Sequence, residues 1–218
     1  AQEPGRSYGG ACCNTMLKVV YDAANEGAAQ SEAAAQALFE DDDEEDDCEP
    51  SLNGKSMRSA YSLDYGGPSH ISLTWAQLLR QMKSEFKEVG YAQLPKITTT
   101  RKIDLNKTFS FAPENFDPSR NKKRALLIGC NYDKVLNAEL KASHDDIRSV
   151  KDFIVNVHGF SENPELMTVL LDDEHSTPPT HANILEAFKR LSEQAQPGDA
   201  VFVQFSGHGG RVLDAARD

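Results

Sequence analysis

The stretch AVFVQFSGHGGR, from Ala200 to Arg211, is an apolar run that ends abruptly in Ser-Gly-His-Gly-Gly. A run of this kind, closed by glycines, is typical of a strand that is buried on both faces within a parallel sheet. Open α/β sheets place their binding crevice beyond the carboxyl ends of their strands. The pattern therefore predicts that His208 emerges at the functional edge of a parallel sheet.

Two further apolar runs and two amphipathic segments precede this strand. The runs RALLIGC (124–130) and LMTVLL (166–171) predict buried strands, and residues 143–157 and 180–194 carry apolar side chains at helical spacing. Strands that alternate with helices in this way imply right-handed crossovers and a parallel sheet. The predicted fold class is therefore α/β, with a mostly parallel sheet flanked by helices.

The earlier part of the chain does not show this alternation of strand and helix patterns. Residues 1–112 are mixed and interrupted, and include an acidic loop at 40–70 and a firm helix at 74–89 with Thr74 as its N-cap. The segment 113–123 is polar and contains two prolines, which is typical of a linker. We therefore predict a first region at 1–112, a linker at 113–123 and a second region at 124–218.

Composition narrows the classes of function. The net charge is −11, but residues 40–49 are almost entirely acidic and the remainder is close to neutral, so no basic surface for nucleic acid is expected. We interpret the acidic segment as solvated charge, with weak Ca²⁺ binding as the alternative. No membrane span or signal peptide is visible, and the four cysteines form no CxxC pair. We expect a cytoplasmic monomer with no nucleic-acid or membrane partner.

The histidine at the end of the third predicted strand is the strongest candidate for catalysis. His208 stands between glycines at a strand end, which places it to act as a general base. The amide of Gly209 is placed to face a developing oxyanion. The alternative is a tight turn after a buried strand in which the histidine is incidental, and the context favours catalysis.

Two other residues follow the predicted sheet edge and have two interpretations each. Asp146, at the start of the helix 143–157, either pairs with a cationic substrate group or complements the helix dipole, and its position alone favours the dipole. Cys130, at the end of the first strand, is either a nucleophile or a small buried apolar residue, and the pattern favours burial.

The sequences RALLIGCNYDKVLNAELKASHDDI and QPGDAVFVQFSGHGGRVLD closely resemble the large-subunit region of metacaspases, the caspase-fold cysteine peptidases of plants, fungi, protists and algae. This resemblance covers about residues 124–214. GRSYGGACCNTMLKVV and the segment from Ser72 to Phe111 resemble the small-subunit region of the same family. Because the small-subunit-like region comes first, the order resembles that of the type III metacaspases of algae.

The resemblance implies a caspase-like three-layer fold and a cysteine endopeptidase that cuts peptide or protein substrates after Arg or Lys. His208 matches the catalytic histidine of the family, and Gly209 matches the oxyanion-hole glycine. Asp146 and Ser206 match positions that line the pocket for the basic residue of the substrate. The resemblance also implies activation by Ca²⁺, self-processing and a role in programmed cell death, although no metal ligand is assigned within this chain.

The sequence departs from the family pattern at its end. In caspase-type enzymes the nucleophilic cysteine lies about 50 residues after the histidine, so we expect it, like the calcium ligands, beyond residue 218. We interpret the chain as a metacaspase fragment that is truncated at both ends. The basic segment 120–124 and the loop that contains Lys55 and Arg58 are candidate self-cleavage sites, with solvated charge as the alternative.

Two rival functions stay open at this point. A catalytically inactive caspase-fold module with a regulatory or binding role fits a chain that has a base and no assigned nucleophile, unless Cys130 is a surrogate. A flavodoxin-like receiver or nucleotide-binding domain shares the sheet pattern. However, Gly129-Cys130-Asn131-Tyr132 after the first strand does not form a phosphate cradle.

Overall fold

The computed structural model describes residues 11–36 and 73–209, and it describes the side chains of the first helix only as far as Ala23. The acidic loop predicted at 40–70 lies outside the described residues. Contacts divide the chain into two compact units, one formed by Thr15–Phe109 and the other by Ser110–Asp218 together with Ala1–Asn14.

Helices and strands alternate in the second half of the described residues. The elements are α1 (Ala11–Gln36), α2 (Trp75–Val89), β1 (Lys123–Gly129), α3 (Ser143–Asn156), β2 (Met167–Leu171), α4 (His181–Gln194) and β3 (Ala200–Ser206). From β1 to α4, each end agrees with the predicted segment within one residue. None of the described helices has the length and apolar character that a membrane crossing requires.

The three strands form a parallel sheet in the order β2-β1-β3. Its central strand is buried on both faces, since Leu126, Leu127 and Ile128 are at most 2% exposed. Leu126 and Ile128 pack with Ala187 of α4. Successive strand residues face opposite sides, and Gly129 lies against Ile147 of α3, so the two helices cover opposite faces. This arrangement confirms the predicted α/β class and the helix-sheet-helix layering of a caspase-like fold.

The structure contradicts one sequence prediction, which concerns the burial of the outer strand β3. The sequence predicts burial on both faces, but Val201, Val203 and Phe205 are 46%, 42% and 49% exposed. The reason is that β3 is an edge strand of the described sheet, and α4 packs against β1 rather than across this face. The opposite face of β3 is covered, because Phe202 contacts Phe111 and Phe160.

In the unit formed by Thr15–Phe109, α2 begins as the sequence predicts. The side chain of Thr74 accepts a hydrogen bond from the amide of Gln77, and the Gln77 side chain accepts one from the amide of Thr74. This reciprocal pair is a capping box, which satisfies two amides at the helix start. Gly90 ends the helix with a φ of 80°, a left-handed conformation that glycine adopts without strain. The buried stripe consists of Leu78, Met82 and Phe86.

A buried carboxylate ties the start of β1 to the turn that precedes β3. Asp199 accepts hydrogen bonds from the amides of Lys122 (2.7 Å) and Gln196 (3.1 Å) and pairs with the Nε of Arg124 at 3.1 Å. Its side chain is only 2% exposed. Burial acts to raise the pKa of Asp199, but the two amides and the guanidinium outweigh it, and the pKa lies below its ordinary value.

We expect Asp199→Asn to lower the free energy of unfolding by about 1–3 kcal/mol at pH 7, because Arg124 and one amide lose an ionised acceptor. The folded pKa of Asp199 is depressed. Its stabilisation is therefore complete above the unfolded pKa of about 3.9 and is lost as the pH falls through the folded value. Denaturant unfolding between pH 3 and pH 7 measures this. The matched control is Asp152→Asn, at an exposed position on α3; equal losses in both variants contradict the assignment.

Candidate functional site

The candidate site lies where the three parallel strands end. Gly129 at the end of β1 is in register with Leu171 of β2 and with Ser206 of β3. The segments that follow these residues therefore leave the sheet at one level, and the first turn of α3 reaches the same edge. Side chains from four elements meet there.

Asp146 and Ser206, which the sequence predicts as substrate-binding residues, are brought together. Asp146 lies in the first turn of α3 and is 2% exposed. The hydroxyl of Ser206 donates a hydrogen bond to Asp146 Oδ2 at 2.5 Å. The helix start and the hydroxyl both favour the ionised carboxylate. The result is a buried negative charge that is held at the edge of the sheet.

A cysteine of α1 contacts the backbone of Asp146. The Sγ of Cys13 is 3.7 Å from the backbone oxygen of Asp146, to which it donates. Burial and then the negative charge of Asp146 raise the pKa of the Cys13 thiol far above its ordinary value. Cys13 therefore stays a neutral thiol that packs against the helix start and is no nucleophile.

The imidazole of His208 is held by a backbone carbonyl. His208 Nε2 is 2.9 Å from the oxygen of Ala138 in the loop between β1 and α3. Because a carbonyl oxygen only accepts hydrogen bonds, Nε2 must carry the ring proton of the neutral histidine. The lone pair is then on Nδ1, which makes Nδ1 the basic atom of the ring. The side chain is solvent-exposed, as a base that meets a substrate has to be.

An aromatic side chain supports the same histidine. The ring of Tyr132 stacks on His208 with a centroid distance of 5.1 Å and an interplanar angle of 29°. The amide of His208 donates a hydrogen bond to the Tyr132 hydroxyl at 3.2 Å. A Cβ atom on Gly207 would lie 2.9 Å from that hydroxyl and from the ring of Phe205, so glycine lets both side chains lie close without displacement. A Cβ atom on Gly209, in contrast, would meet nothing within 4 Å, so this position is open.

A second carboxylate at the same edge was not identified from the sequence. Asp172, directly after β2, accepts hydrogen bonds from the amides of Asn131 (2.8 Å) and Tyr132 (2.7 Å) and lies 2.6 Å from Nε2 of the buried His144. Burial acts to raise the pKa of Asp172, but the two amides and the imidazole outweigh it and the pKa is lowered. The available signal was an acid immediately after a predicted buried strand, the same position relative to β2 that Cys130 has relative to β1.

The structure favours the packing interpretation of Cys130. Its side chain is buried among Leu126, Ile128 and Leu170. Burial raises the pKa of the Cys130 thiol, and the neighbouring Tyr132 opposes this only in part. Among the described side chains, at residues 11–23 and 73–209, no three or more His, Cys, Asp or Glu residues form a cluster that could hold a metal ion.

Comparison with known proteins places this site in a family. The family model described as "Metacaspase, peptidase C14 domain" matches residues 123–218. The chain is 35% identical to Metacaspase III c of Phaeodactylum tricornutum over 146 residues, which are 67% of this chain and 42% of that protein. It is 46% identical to Metacaspase-4 of Arabidopsis thaliana over 91 residues, 41% of this chain and 21% of the relative.

A fungal relative gives a similar match. Metacaspase-1 of Eremothecium gossypii is 42% identical over 98 residues, 44% of this chain and 21% of that protein. The chain thus spans less than half the length of these curated relatives. The matches confirm the resemblance to metacaspases that the motifs in residues 124–214 indicate, and they argue against a receiver or nucleotide-binding domain.

Proposed function

We propose, from the premise that this chain belongs to the metacaspase family and carries its C14 peptidase domain from residue 123 onward, that the intact protein is a cysteine endopeptidase cutting after Arg or Lys. The observation that carries the proposal is that two groups lie at the same edge of the sheet. One is an exposed His208 that is basic at Nδ1, and the other is the buried carboxylate of Asp146. The first is a base for peptide hydrolysis and the second is a counter-charge for a cationic side chain.

His208 and Gly209 are assigned to the chemical steps. A cysteine thiol from beyond residue 218 loses its proton to Nδ1 of His208, and its sulfur attacks the carbonyl carbon of the peptide bond. The amide of Gly209 donates to the oxygen that becomes negative. His208 then gives the proton to the departing amine, which leaves a thioester that water hydrolyses. The Ala138 carbonyl keeps Nε2 protonated, so that Nδ1 serves in both transfers.

Asp146 and Ser206 are assigned to substrate selection. The carboxylate of Asp146 is buried beside the Ser206 hydroxyl, and an Arg or Lys side chain supplies hydrogen-bond donors and the opposite charge. A neutral side chain would cover the carboxylate without pairing it, which costs binding free energy. We therefore expect cleavage after basic residues.

Calcium activation is implied by the resemblance and draws no support from the described residues. Ca²⁺ takes 6–8 oxygen ligands, and the described side chains at 11–23 and 73–209 include no cluster suited to a metal. We propose that the ligands come from other parts of the intact protein.

The fold reduces the number of positions within segment 120–124 at which self-cleavage is expected. Lys123 and Arg124 belong to β1 and are in register with Ala200 and Val201 of β3. A peptidase cleaves extended backbone that it can reach, so we propose cleavage after Arg120 or Lys122, both of which are exposed. The loop with Lys55 and Arg58 lies outside the described residues.

The type III order of the two regions is part of the proposal. It is supported by the match to Metacaspase III c, because 146 aligned residues are more than residues 123–218 contain. Part of the first region therefore aligns ahead of the peptidase domain. We also expect the protein to be a cytoplasmic monomer.

The inactive caspase-fold module remains the second candidate. It is favoured by the buried cysteines of the described residues, Cys13 and Cys130, whose thiol pKa values are raised. A buried thiol with a raised pKa is a poor nucleophile, so we expect the inactive module if the intact protein has no cysteine at the position of the family's nucleophile.

We expect His208→Ala to lower kcat for an Arg peptide by about 10²–10⁴-fold, because the proton transfers lose their base. Hydrolysis of a fluorogenic Arg peptide by the intact protein measures this. The control is His175→Ala, at an exposed position in the β2–α4 loop. Absence of hydrolysis by the unaltered protein, with or without Ca²⁺, favours the inactive module.

We expect Asp146→Asn to reduce kcat/KM for Arg and Lys peptides by about 10²-fold or more while changing that for a neutral peptide far less. The matched control is Asp145→Asn, the neighbouring acid, whose side chain is 50% exposed and pairs with Arg148. Competition between peptides that differ only in the residue before the cut measures the ratio. An unchanged preference in Asp146→Asn removes its assignment to selectivity.

We expect Ca²⁺ to trigger cleavage of the intact protein after Arg120 or Lys122, and His208→Ala to abolish it. Amino-terminal sequencing of the fragments identifies the cut. The variant Arg120→Gln/Lys122→Gln is expected to remain whole at this segment and yet to hydrolyse added peptide. New termini only at other positions would contradict the assignment of this segment.

A further inference from the structure

We infer that Tyr132, fixed by Asp172, is a positioning residue for His208, an inference that rests on the proposed peptidase function. The aromatic ring covers one face of the imidazole, with a centroid distance of 5.1 Å. Its hydroxyl accepts the hydrogen bond from the His208 backbone amide. Tyr132 thus contacts both the ring and the backbone of the histidine and limits rotation about its side-chain bonds.

The backbone of Tyr132 would not stay in this conformation unaided. Its φ is 58°, in the left-handed region that a bulky L-residue rarely adopts. A residue held there persists only when its surroundings determine its geometry. The direction in which the Tyr132 ring points depends on this conformation, so whatever fixes the backbone also sets the ring against His208.

Asp172 supplies the constraint. One carboxylate oxygen accepts from the amide of Asn131 and the other from the amide of Tyr132, so the two successive peptide units are held against the end of β2. The buried imidazole of His144 bonds the first oxygen from the start of α3. Asp172 is therefore held by His144 of α3, and it in turn holds the loop that contains Asn131 and Tyr132. It touches neither His208 nor a substrate and acts through Tyr132.

The end of β3 is shaped to accept the same contact. Gly207 leaves room for the Tyr132 hydroxyl, which a Cβ atom would approach to 2.9 Å. The hydroxyl thus has a polar partner at the end of β3, whereas a residue that merely filled space would need none.

The test compares three variants with one control in the intact protein. Tyr132→Leu removes the ring, Tyr132→Phe removes only the hydroxyl, and Asp172→Asn replaces one accepting oxygen with a donor that faces a backbone amide. Asp173→Asn is the matched control, because the next carboxylate binds the amides of His175 and Ser176 in a separate turn.

The first readout does not need catalysis. With ¹³C-labelled histidine, the NMR signal of the His208 imidazole, assigned by its loss in His208→Ala, carries the ring-current shift of the stacked tyrosine. We expect Tyr132→Leu to abolish this shift, Asp172→Asn to reduce it, and Tyr132→Phe and Asp173→Asn to retain it. A His208 signal that is the same in Tyr132→Leu and the unaltered protein overturns the inference even where no peptidase activity is found.

The second readout separates positioning from folding. We expect kcat for an Arg peptide to fall by about 10–10²-fold in Tyr132→Leu and Asp172→Asn with KM little changed, because a displaced base slows chemistry more than binding. Tyr132→Phe keeps the ring but loses the acceptor for the His208 amide, so it is expected to lose less activity than Tyr132→Leu. The comparison of these two variants carries the test if Asp172→Asn fails to fold. Equal kcat in Tyr132→Leu and the unaltered protein overturns the inference, whereas inactivity of the unaltered protein contradicts only the proposed function.

Discussion

The parallel register that sets Gly129 against both Leu171 and Ser206 is the constraint on which the site depends. It ends three strands at one level, so that the segments after them share an edge. Gly129 makes a second contribution, because a Cβ atom there would lie 2.8 Å from Ile147 and 3.1 Å from the backbone oxygen of Ser143. The missing side chain lets the start of α3 reach the sheet, and this brings Asp146 within a hydrogen bond of Ser206.

The two carboxylates at this edge, Asp172 and Asp146, have different hydrogen-bond donors. Asp172 accepts from two backbone amides and an imidazole, which leaves it little ability to bind anything else and makes it a structural anchor. Asp146 lies in the first turn of α3, and its carboxylate accepts a hydrogen bond from the side-chain hydroxyl of Ser206. One carboxylate thus ties the end of β2 to the loop after β1, and the other ties the start of α3 to the end of β3.

The sequence predicts the elements well because each has a local signal. The unbroken apolar run of β1, the helical spacing in α3 and the Thr74 cap of α2 all depend on neighbouring residues, and the structure agrees. The exposure of β3 was predicted wrongly, because apolar composition does not reveal which strand lies at an edge. The Asp172–Tyr132–His208 chain was missed because it joins residues from three strand ends, and a left-handed φ at a tyrosine has no sequence signature.

The uncovered side of β3 has a practical consequence for anyone who produces this region alone. Val201, Val203 and Phe205 form an exposed apolar row on the outer strand of the described sheet. Such a strand is a template for pairing with another chain and promotes aggregation. A recombinant piece that stops near residue 209 will therefore tend to precipitate unless lysine or threonine replaces one of these side chains.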